Sequence, residues 1–342
     1  MADLSQLQAF AEEKLSQALE PGQPMPGGGS ARRFYRFRGG GSSWIGVIGS
    51  HAAENRAFLG FTLHFGGQGL PVPRIYAVDR EQGFYLMEDL GDTTLAAQLA
   101  QFRGHPAGRV IAMATLHRIV GWLPRFQVHG GEGLDYGLCH EGEELDGEVF
   151  AADVRRFIDE YIPRHAKGSE PEERVLIELE VLITRLHSMP REHFCYRDFQ
   201  PRNIMWRDGP VFLDYQSGRR GALHYDLASF LYSPDTGLGE KERVQLIDVY
   251  LKALRDCGVA MDHISFLADF HPIVLVRRLQ ALGAYAQIGA TEGKEDYLQY
   301  ITPSLADLGQ LLSQGKLSMG LPALEAWLKR IVMAGLKTAG GG

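Results

Sequence analysis

Asp198, Asn203 and Asp214 are the residues whose types and spacing could do chemistry together. They lie in the stretch Tyr196 to Tyr215, which reads YRDFQPRNIMWRDGPVFLDY. Asp208-Gly209 sits between the apolar runs Ile204-Met205-Trp206 and Val211-Phe212-Leu213, the pattern of a two-residue hairpin turn. Counting outward, Arg207 faces Pro210, Trp206 faces Val211 and Asn203 faces Asp214. Opposed residues share a face, with Cβ atoms about 5 Å apart. This register sets an amide oxygen beside a carboxylate. Two hard oxygen donors suit Mg²⁺, which is held by one or two side chains plus substrate phosphates. Asp198, in a Pro-containing loop just before, is then free to orient a hydroxyl nucleophile, and the chemistry would be phosphoryl transfer. Asp and Asn are common in loops for turn chemistry alone. The returning hairpin is what gives this spacing its weight.

Two groups of elements must position these residues. Toward the N-terminus, MADLSQLQAFAEEKLSQALE is an amphipathic helical pattern, followed by a breaker-rich loop, Pro21 to Ser30. Arg33 to Arg38 and Trp44 to Ile48 read as short strands around Gly39-Gly40-Gly41. Ser50 to Phe65 has helical spacing. Ile75 to Val78 and Phe84 to Met87 are two more strands. Glu88 to Asp92 breaks the pattern, and the chain beyond it is mostly helical. Val110–Leu123, Glu172–Met189, Tyr225–Tyr232, Glu240–Asp256, His263–Ile288, Glu295–Ser313 and Leu321–Leu336 all carry helical patterns. The expected architecture is α+β and two-lobed. Residues 1–90 form a small β-rich lobe for a nucleotide, and residues 91–342 form a larger helical lobe for catalysis and the acceptor.

Composition narrows the partners. The chain has 342 residues, 45% hydrophobic and 23% charged, with a formal net charge of -7. That is an ordinary globular composition. It lacks the basic excess expected of a nucleic-acid binder. No apolar run of about 18 residues is present, so no membrane span is expected. The N-terminus has neither the basic start nor the apolar stretch of a signal peptide. Cys139, Cys195 and Cys257 form no disulfide framework or ligand pattern, so a reducing, cytoplasmic setting is expected. Cys195, between Phe194 and Tyr196, reads as a buried small hydrophobe.

The chain resembles the aminoglycoside phosphotransferase family, which shares the protein-kinase-like fold. Within that family it is most similar to bacterial kinases of N-acetylmuramate and N-acetylglucosamine, which phosphorylate the anomeric hydroxyl. The resemblance rests on SARRFYRF, LPVPRIYAVD, GFYLMEDLGDTTL, YRDFQPRNIMW and FLDYQSGRRGALHYDLASFL. It implies ATP and Mg²⁺ as cofactors and a small-molecule hydroxyl as acceptor. By the same resemblance, Asp198 orients or deprotonates that hydroxyl, Asn203 and Asp214 hold the metal, and Asp226 braces the catalytic loop. Glu88, Asp89 and Leu90 match the hinge that binds adenine, and Ser30 to Arg36 match the loop over the phosphates. The chain departs from the family in three places. Tyr196 replaces the usual His, Tyr215-Gln216 follows the metal Asp, and the strand Trp44 to Ile48 has no Lys for the phosphates. Arg32, Arg33 or Arg36 supplies that charge, or these arginines only cover the strand. Glu54, with no Lys to pair, is expected to be a solvated helix residue. Aminoglycoside, choline-like or amino-alcohol acceptors stay open, as does a nucleotide-binding pseudokinase.

Remaining signals get plainer expectations. Glu141, Glu143, Glu144, Asp146 and Glu148 read as a solvated loop at a helix N-terminus, or as a site for a polycation. His187 and His193 read as helix-end and loop residues. Arg219 and Arg220 face an anionic substrate or decorate a turn. Tyr225 is packing or a substrate contact.

Overall fold

The structure is a computed structural model describing residues 3–26, 31–291, 295–317 and 319–339. The chain divides into two compact units. The first comprises Met1–Thr115, Arg125–Glu143 and Tyr196–Arg219, and the second Leu116–Pro124, Glu144–Cys195 and Arg220–Gly342.

The first unit opens with α1 (Leu4–Leu15). Asp3 caps it. Its carboxylate accepts from the Gln6 N–H (3.0 Å), and the Gln6 side chain accepts in return from the Asp3 N–H (3.1 Å). Next come β1 (Gln23–Pro24), β2 (Arg33–Gly39), β3 (Ser42–Ile48), α2 (Ala52–Gly67), β4 (Ile75–Asp79) and β5 (Phe84–Glu88). The five strands form one antiparallel sheet in the order β1-β2-β3-β5-β4. Period-2 alternation divides the faces. Phe37, Trp44, Ile48, Phe84 and Leu86 bury against Leu7 and Phe10 of α1. Gly46 lies on that face because a Cβ there would come 2.5 Å from the Phe37 ring. The opposite face carries the row Phe34–Val47–Tyr85, in register across β2, β3 and β5. Helix α2 buries Ala57, Phe58, Phe61 and Phe65 at helical spacing. The expected strands and helix are all present.

α3 (Leu95–Gln101) and α4 (Pro106–Gln127) follow. The second unit is helical: α5 (Gly147–Arg156), a π-helical turn at Phe157–Tyr161, α6 (Ile162–His165) and α7 (Glu173–His187). β6 (His193–Cys195) then leads to the hairpin β7 (Ile204–Trp206) and β8 (Pro210–Phe212) of the first unit. β9 (Arg219–Gly221) pairs with β6. Gly221 permits it, since a Cβ there would lie 2.7 Å from Cys195 Cβ. The rest is α8 (His224–Leu231), α9 (Glu240–Asp256), α10 (His263–Thr291), α11 (Ile301–Ser313) and α12 (Pro322–Ala339). No helix among the described residues is long and apolar enough to cross a membrane.

The hairpin corrects one expectation. Ile204 pairs with Phe212, Met205 with Val211 and Trp206 with Pro210. The loop is therefore three residues, Arg207-Asp208-Gly209, closed by Arg207 N–H to the Gly209 carbonyl (3.2 Å). A type I′ turn needs positive φ at both central residues. Neither Asp208 nor Gly209 has it. Asn203 consequently stands opposite Leu213, whose N–H donates to the Asn203 carbonyl (2.9 Å), and not opposite Asp214. A one-residue slip turns side chains to the other face. Asp214 itself takes a left-handed backbone, φ 68°, so its side chain leaves the alternation of the strand.

Candidate active site

The loop bearing Asp198 is anchored by Tyr196. Its ring is buried, edge-on to Phe126, Phe199 and Tyr215 at centroid distances of 5.8, 5.4 and 5.7 Å. Its hydroxyl donates to the Leu213 carbonyl, next to Asp214. Where the resembled family has a His, this chain has a packed anchor tied to the Leu213 carbonyl. Arg197 follows at φ 74°. A left-handed backbone in a non-glycine residue costs roughly 1–3 kcal/mol and concentrates at functional sites. Here two such residues bracket the candidate centre, Arg197 immediately before Asp198 and Asp214 itself. Pro201–Asn203 form a 3-10 turn. The Asn203 amide nitrogen donates to the Asp198 carbonyl (2.9 Å). That bond turns the amide nitrogen to the loop and leaves the side-chain oxygen as the group that could meet a cation.

Asp214 lies in a charged network that the sequence only half revealed. Arg32, just before β2, is 7% exposed. Its Nη2 is 3.2 Å from Glu54 Oε1 and 3.3 Å from Asp214 Oδ1. Gln216 Nε2 donates to the same Asp214 oxygen (2.8 Å) and lies 3.4 Å from Glu54 Oε1. The guanidinium also stacks over Phe34 and Phe58, at 5.9 and 5.4 Å from the ring centroids. Burial opposes its charge, but Tyr85, Glu54 and Asp214 more than offset this and hold its pKa above the ordinary value. Glu54 is thus not solvated. It is the carboxylate partner of a cation that enters from β2 rather than β3. Tyr215 is buried, its hydroxyl 2.6 Å from the Thr62 hydroxyl and its ring stacked on Phe58 at 5.5 Å.

The other two arginines point elsewhere. Arg33 is exposed and opposite Ile48, on the sheet face that α1 covers. Arg36 ion-pairs with Asp89 (2.7 Å) and Asp92 (2.8 Å), so its charge is already matched by two carboxylates. Arg207 of the hairpin loop pairs with Glu88 (2.8 Å) and donates to the Asp89 carbonyl (3.4 Å). Leu90 is buried. The candidate hinge Glu88–Leu90 is therefore held from both sides, and Arg207 is a contributor that the sequence reading missed. Ser30 lies outside the described residues.

The acceptor candidates fare differently. Arg219 is buried, bonded to the Glu141 carbonyl (2.8 Å) and paired with its carboxylate. It is a structural residue, contrary to the expectation of a substrate contact, because its charge is spent on Glu141. Tyr225 is packing. Fully buried in the helical unit, it accepts from Arg277 (3.0 Å) and sits beside Phe150. Arg220 is half-buried, and its carbonyl accepts from the Leu145 N–H (2.7 Å). Asp226 is fully buried and accepts from the Cys195 thiol (3.5 Å). The acidic run is dispersed in the same way. Glu144 pairs with Arg191, and Asp146 caps α5 through the Glu148 and Val149 N–H groups. His187 ends α7, its Nδ1 accepting from the Gly147 N–H (3.1 Å). Among the described residues no three His, Cys, Asp or Glu gather as a metal cluster. The network around Asp214 holds two carboxylates, Glu54 and Asp214, joined through Arg32 and Gln216.

Comparison with known proteins bears on the same residues. The model of the phosphotransferase enzyme family matches residues 22–262. An N-acetylmuramate/N-acetylglucosamine kinase of Pseudomonas aeruginosa is 27% identical over 315 residues, covering 85% of this chain and 87% of its own length. A protein of the same name from Neisseria meningitidis is 27% identical over 66% of each chain. Among solved structures, choline kinase LicA from Streptococcus pneumoniae superposes with a TM-score of 0.59 at 15% identity, over 95% of this chain and 98% of its own. An aminoglycoside phosphotransferase in a ternary complex with ADP and hygromycin B gives 0.54 at 12% identity, over 96% and 98%. The fold is protein-kinase-like, with an antiparallel sheet in the N-terminal region and a larger helical part. The chain belongs to the phosphotransferase enzyme family and is a small-molecule kinase.

Proposed function

We propose that the chain transfers the γ-phosphoryl group of ATP to a hydroxyl of an amino sugar of the N-acetylmuramate/N-acetylglucosamine type. Four relatives carrying that name, each aligned over 66% of this chain or more, support the acceptor. The observation that carries the reading is the Arg32–Glu54–Asp214 network. It supplies the ion pair that the missing strand lysine would otherwise have made, so the departure does not argue for an inactive nucleotide binder. Asp198 orients the acceptor hydroxyl and takes its proton. Asn203 and Asp214 are the residues that would hold Mg²⁺, which supplies charge neutralisation across the phosphates. Arg32 turns from Asp214 to the phosphate oxygens, a geometry guanidinium suits. Glu88 to Leu90 carry the adenine, and Asp226 braces the loop. In this reading residues 1–90 serve the nucleotide, and residues 91–342 serve catalysis and the acceptor. A nucleoside triphosphate donor supports a cytoplasmic site of action.

The test is ATP turnover with N-acetylmuramate, N-acetylglucosamine, kanamycin and choline. Turnover of either amino sugar, with little of the two cations, is expected. Turnover of the cations alone would refute the acceptor, and no turnover with any would revive a binding-only role.

A further inference from the structure

We propose that Arg36, acting through Asp89, is a positioning residue for the base of the nucleotide: it ties strand β2 to the hinge Glu88–Leu90 and holds the hinge main chain in the form that the base meets. The proposal rests on the hinge reading above and needs nothing from the acceptor. Every residue in it belongs to the first unit.

Arg36 starts far from the hinge. It stands opposite Ile45 on β3, which stands opposite Met87 on β5. By alternation this row shares a face with Phe34–Val47–Tyr85, the face away from α1. Neighbouring strands lie about 4.8 Å apart, so the side chain crosses roughly two strand spacings to reach Asp89. There its Nε lies 2.7 Å from Asp89 Oδ2, and its Nη2 donates to Asp89 Oδ1 (3.0 Å). The same guanidinium donates to both oxygens of Asp92 (2.8 and 3.2 Å). The Arg36 and Asp89 side chains are 13% and 7% exposed, whereas Asp92 is 76% exposed. The Arg36–Asp89 pair is thus enclosed, where losing one partner costs far more than at the surface.

Asp89 is where the hinge is fixed. Its Oδ1 also accepts from the Gly91 N–H (3.0 Å). Its carbonyl accepts from Arg207 (3.4 Å), whose guanidinium pairs with Glu88 (2.8 Å). The Glu88 N–H is given to the Arg74 carbonyl (2.8 Å). Burial opposes the charge of Asp89, but Arg36, the Gly91 N–H and Ser43 more than offset it and hold its pKa below the ordinary value. Leu90 is buried, and its N–H and carbonyl have no partner among the described residues. Buried main-chain groups are almost always paired. Adenine sets an acceptor beside its N6 donor, the complement of such a pair. A guanidinium fork on both carboxylate oxygens fixes the plane of Asp89 as well as its place, which a lysine ammonium does not. Arg32, which reaches Asp214, lies four residues earlier, ~13 Å along a strand. One strand thus meets the candidate metal carboxylate and the hinge in the order that phosphates and base require.

The experiment titrates ATP and inorganic tripolyphosphate, each with Mg²⁺, calorimetrically into wild type, Arg36→Met and Arg36→Lys. Tripolyphosphate is the phosphate chain without its nucleoside. Arg36→Met should bind ATP roughly tenfold or more weakly, and tripolyphosphate within about threefold of wild type. Arg36→Lys, with the charge but not the fork, should fall between the two for ATP and match wild type for tripolyphosphate. A merely structural role would weaken both ligands together, and that result overturns the proposal. Unchanged ATP binding in Arg36→Met overturns it as well. If Arg36→Met does not fold, Arg36→Lys decides by the same comparison. If wild type binds ATP no more tightly than tripolyphosphate, the hinge reading itself fails and the role of Arg36 falls with it. If wild type turns over no amino sugar, the acceptor reading fails alone, since neither titration uses an acceptor.

Discussion

The two units solve the burial of arginine in opposite ways. In the first, one guanidinium, Arg32, faces two carboxylates, Glu54 and Asp214. In the second, two guanidiniums, Arg243 and Arg278, share one carboxylate, Asp307. The first arrangement has one carboxylate more than its guanidinium, and the second one guanidinium more than its carboxylate. A structural ion pair would balance its charges internally.

This comparison can be broken in order of expected effect. The largest change belongs to Asp198→Ala. If the negative centre is where the chemistry happens, kcat should fall ~10²–10⁴-fold, the usual contribution of a positioned base. Nucleotide affinity measured by calorimetry should stay within a few-fold of wild type. A variant keeping more than about a tenth of kcat would remove Asp198 from its role, given that scale.

Next in size is Arg32→Ala, which should weaken ATP binding roughly 10–100-fold, the worth of a charge-assisted hydrogen bond. Val47 offers a sharper check. It sits on β3 in the row with Phe34 and Tyr85, on the face that Arg32 overlies. Adding Val47→Lys to Arg32→Ala should restore much of the affinity, by returning a cation to that strand. No recovery in a folded double variant would mean that Arg32 does more than supply charge.

The smallest effect concerns how the helical unit resists further positive charge. His224 is buried and stacked on Phe266 at 4.4 Å. Burial lowers its pKa to about 4, with Arg185 adding to the fall and Asp269 opposing it. The folded pKa lies below the unfolded value near 6.5, so this contribution is complete above about pH 6.5 and is lost as pH falls toward 4. His224→Phe should flatten the acid side of the stability curve by ~1–3 kcal/mol, on the scale of 1.4 kcal/mol per pKa unit. Urea unfolding at pH 7 and pH 4.5 would measure it. Equal acid sensitivity in both proteins would assign the slope to other groups.

Most of the element order was legible, because the N-terminal strands alternate and the helices carry sustained periods. The strands β6 and β9 were not, since three residues cannot establish a period. The hairpin was found but its register was missed by one. An Asp-Gly pair permits a two-residue turn without enforcing it, and the side chain of Asp214 was redirected by its own backbone. Asp198, Asn203 and Asp214 could be named from spacing, whereas the Arg32–Glu54 pair joins separate elements with no local pattern. The α10 arginines are the clearest failure. In a helix read by period, two adjacent arginines look like a solvated stripe, and only their partners on α8 and α11 reveal that they are enclosed.

Tyr196 has a consequence of another kind. An imidazole changes charge between pH 5 and 8, and a phenol does not. The buried Tyr196 phenol, held to the Leu213 carbonyl beside Asp214, brings no such change of charge to the start of this loop. Any acid limb in the rate profile of this enzyme then owes nothing to the residue at this position, where an imidazole would have added its own titration.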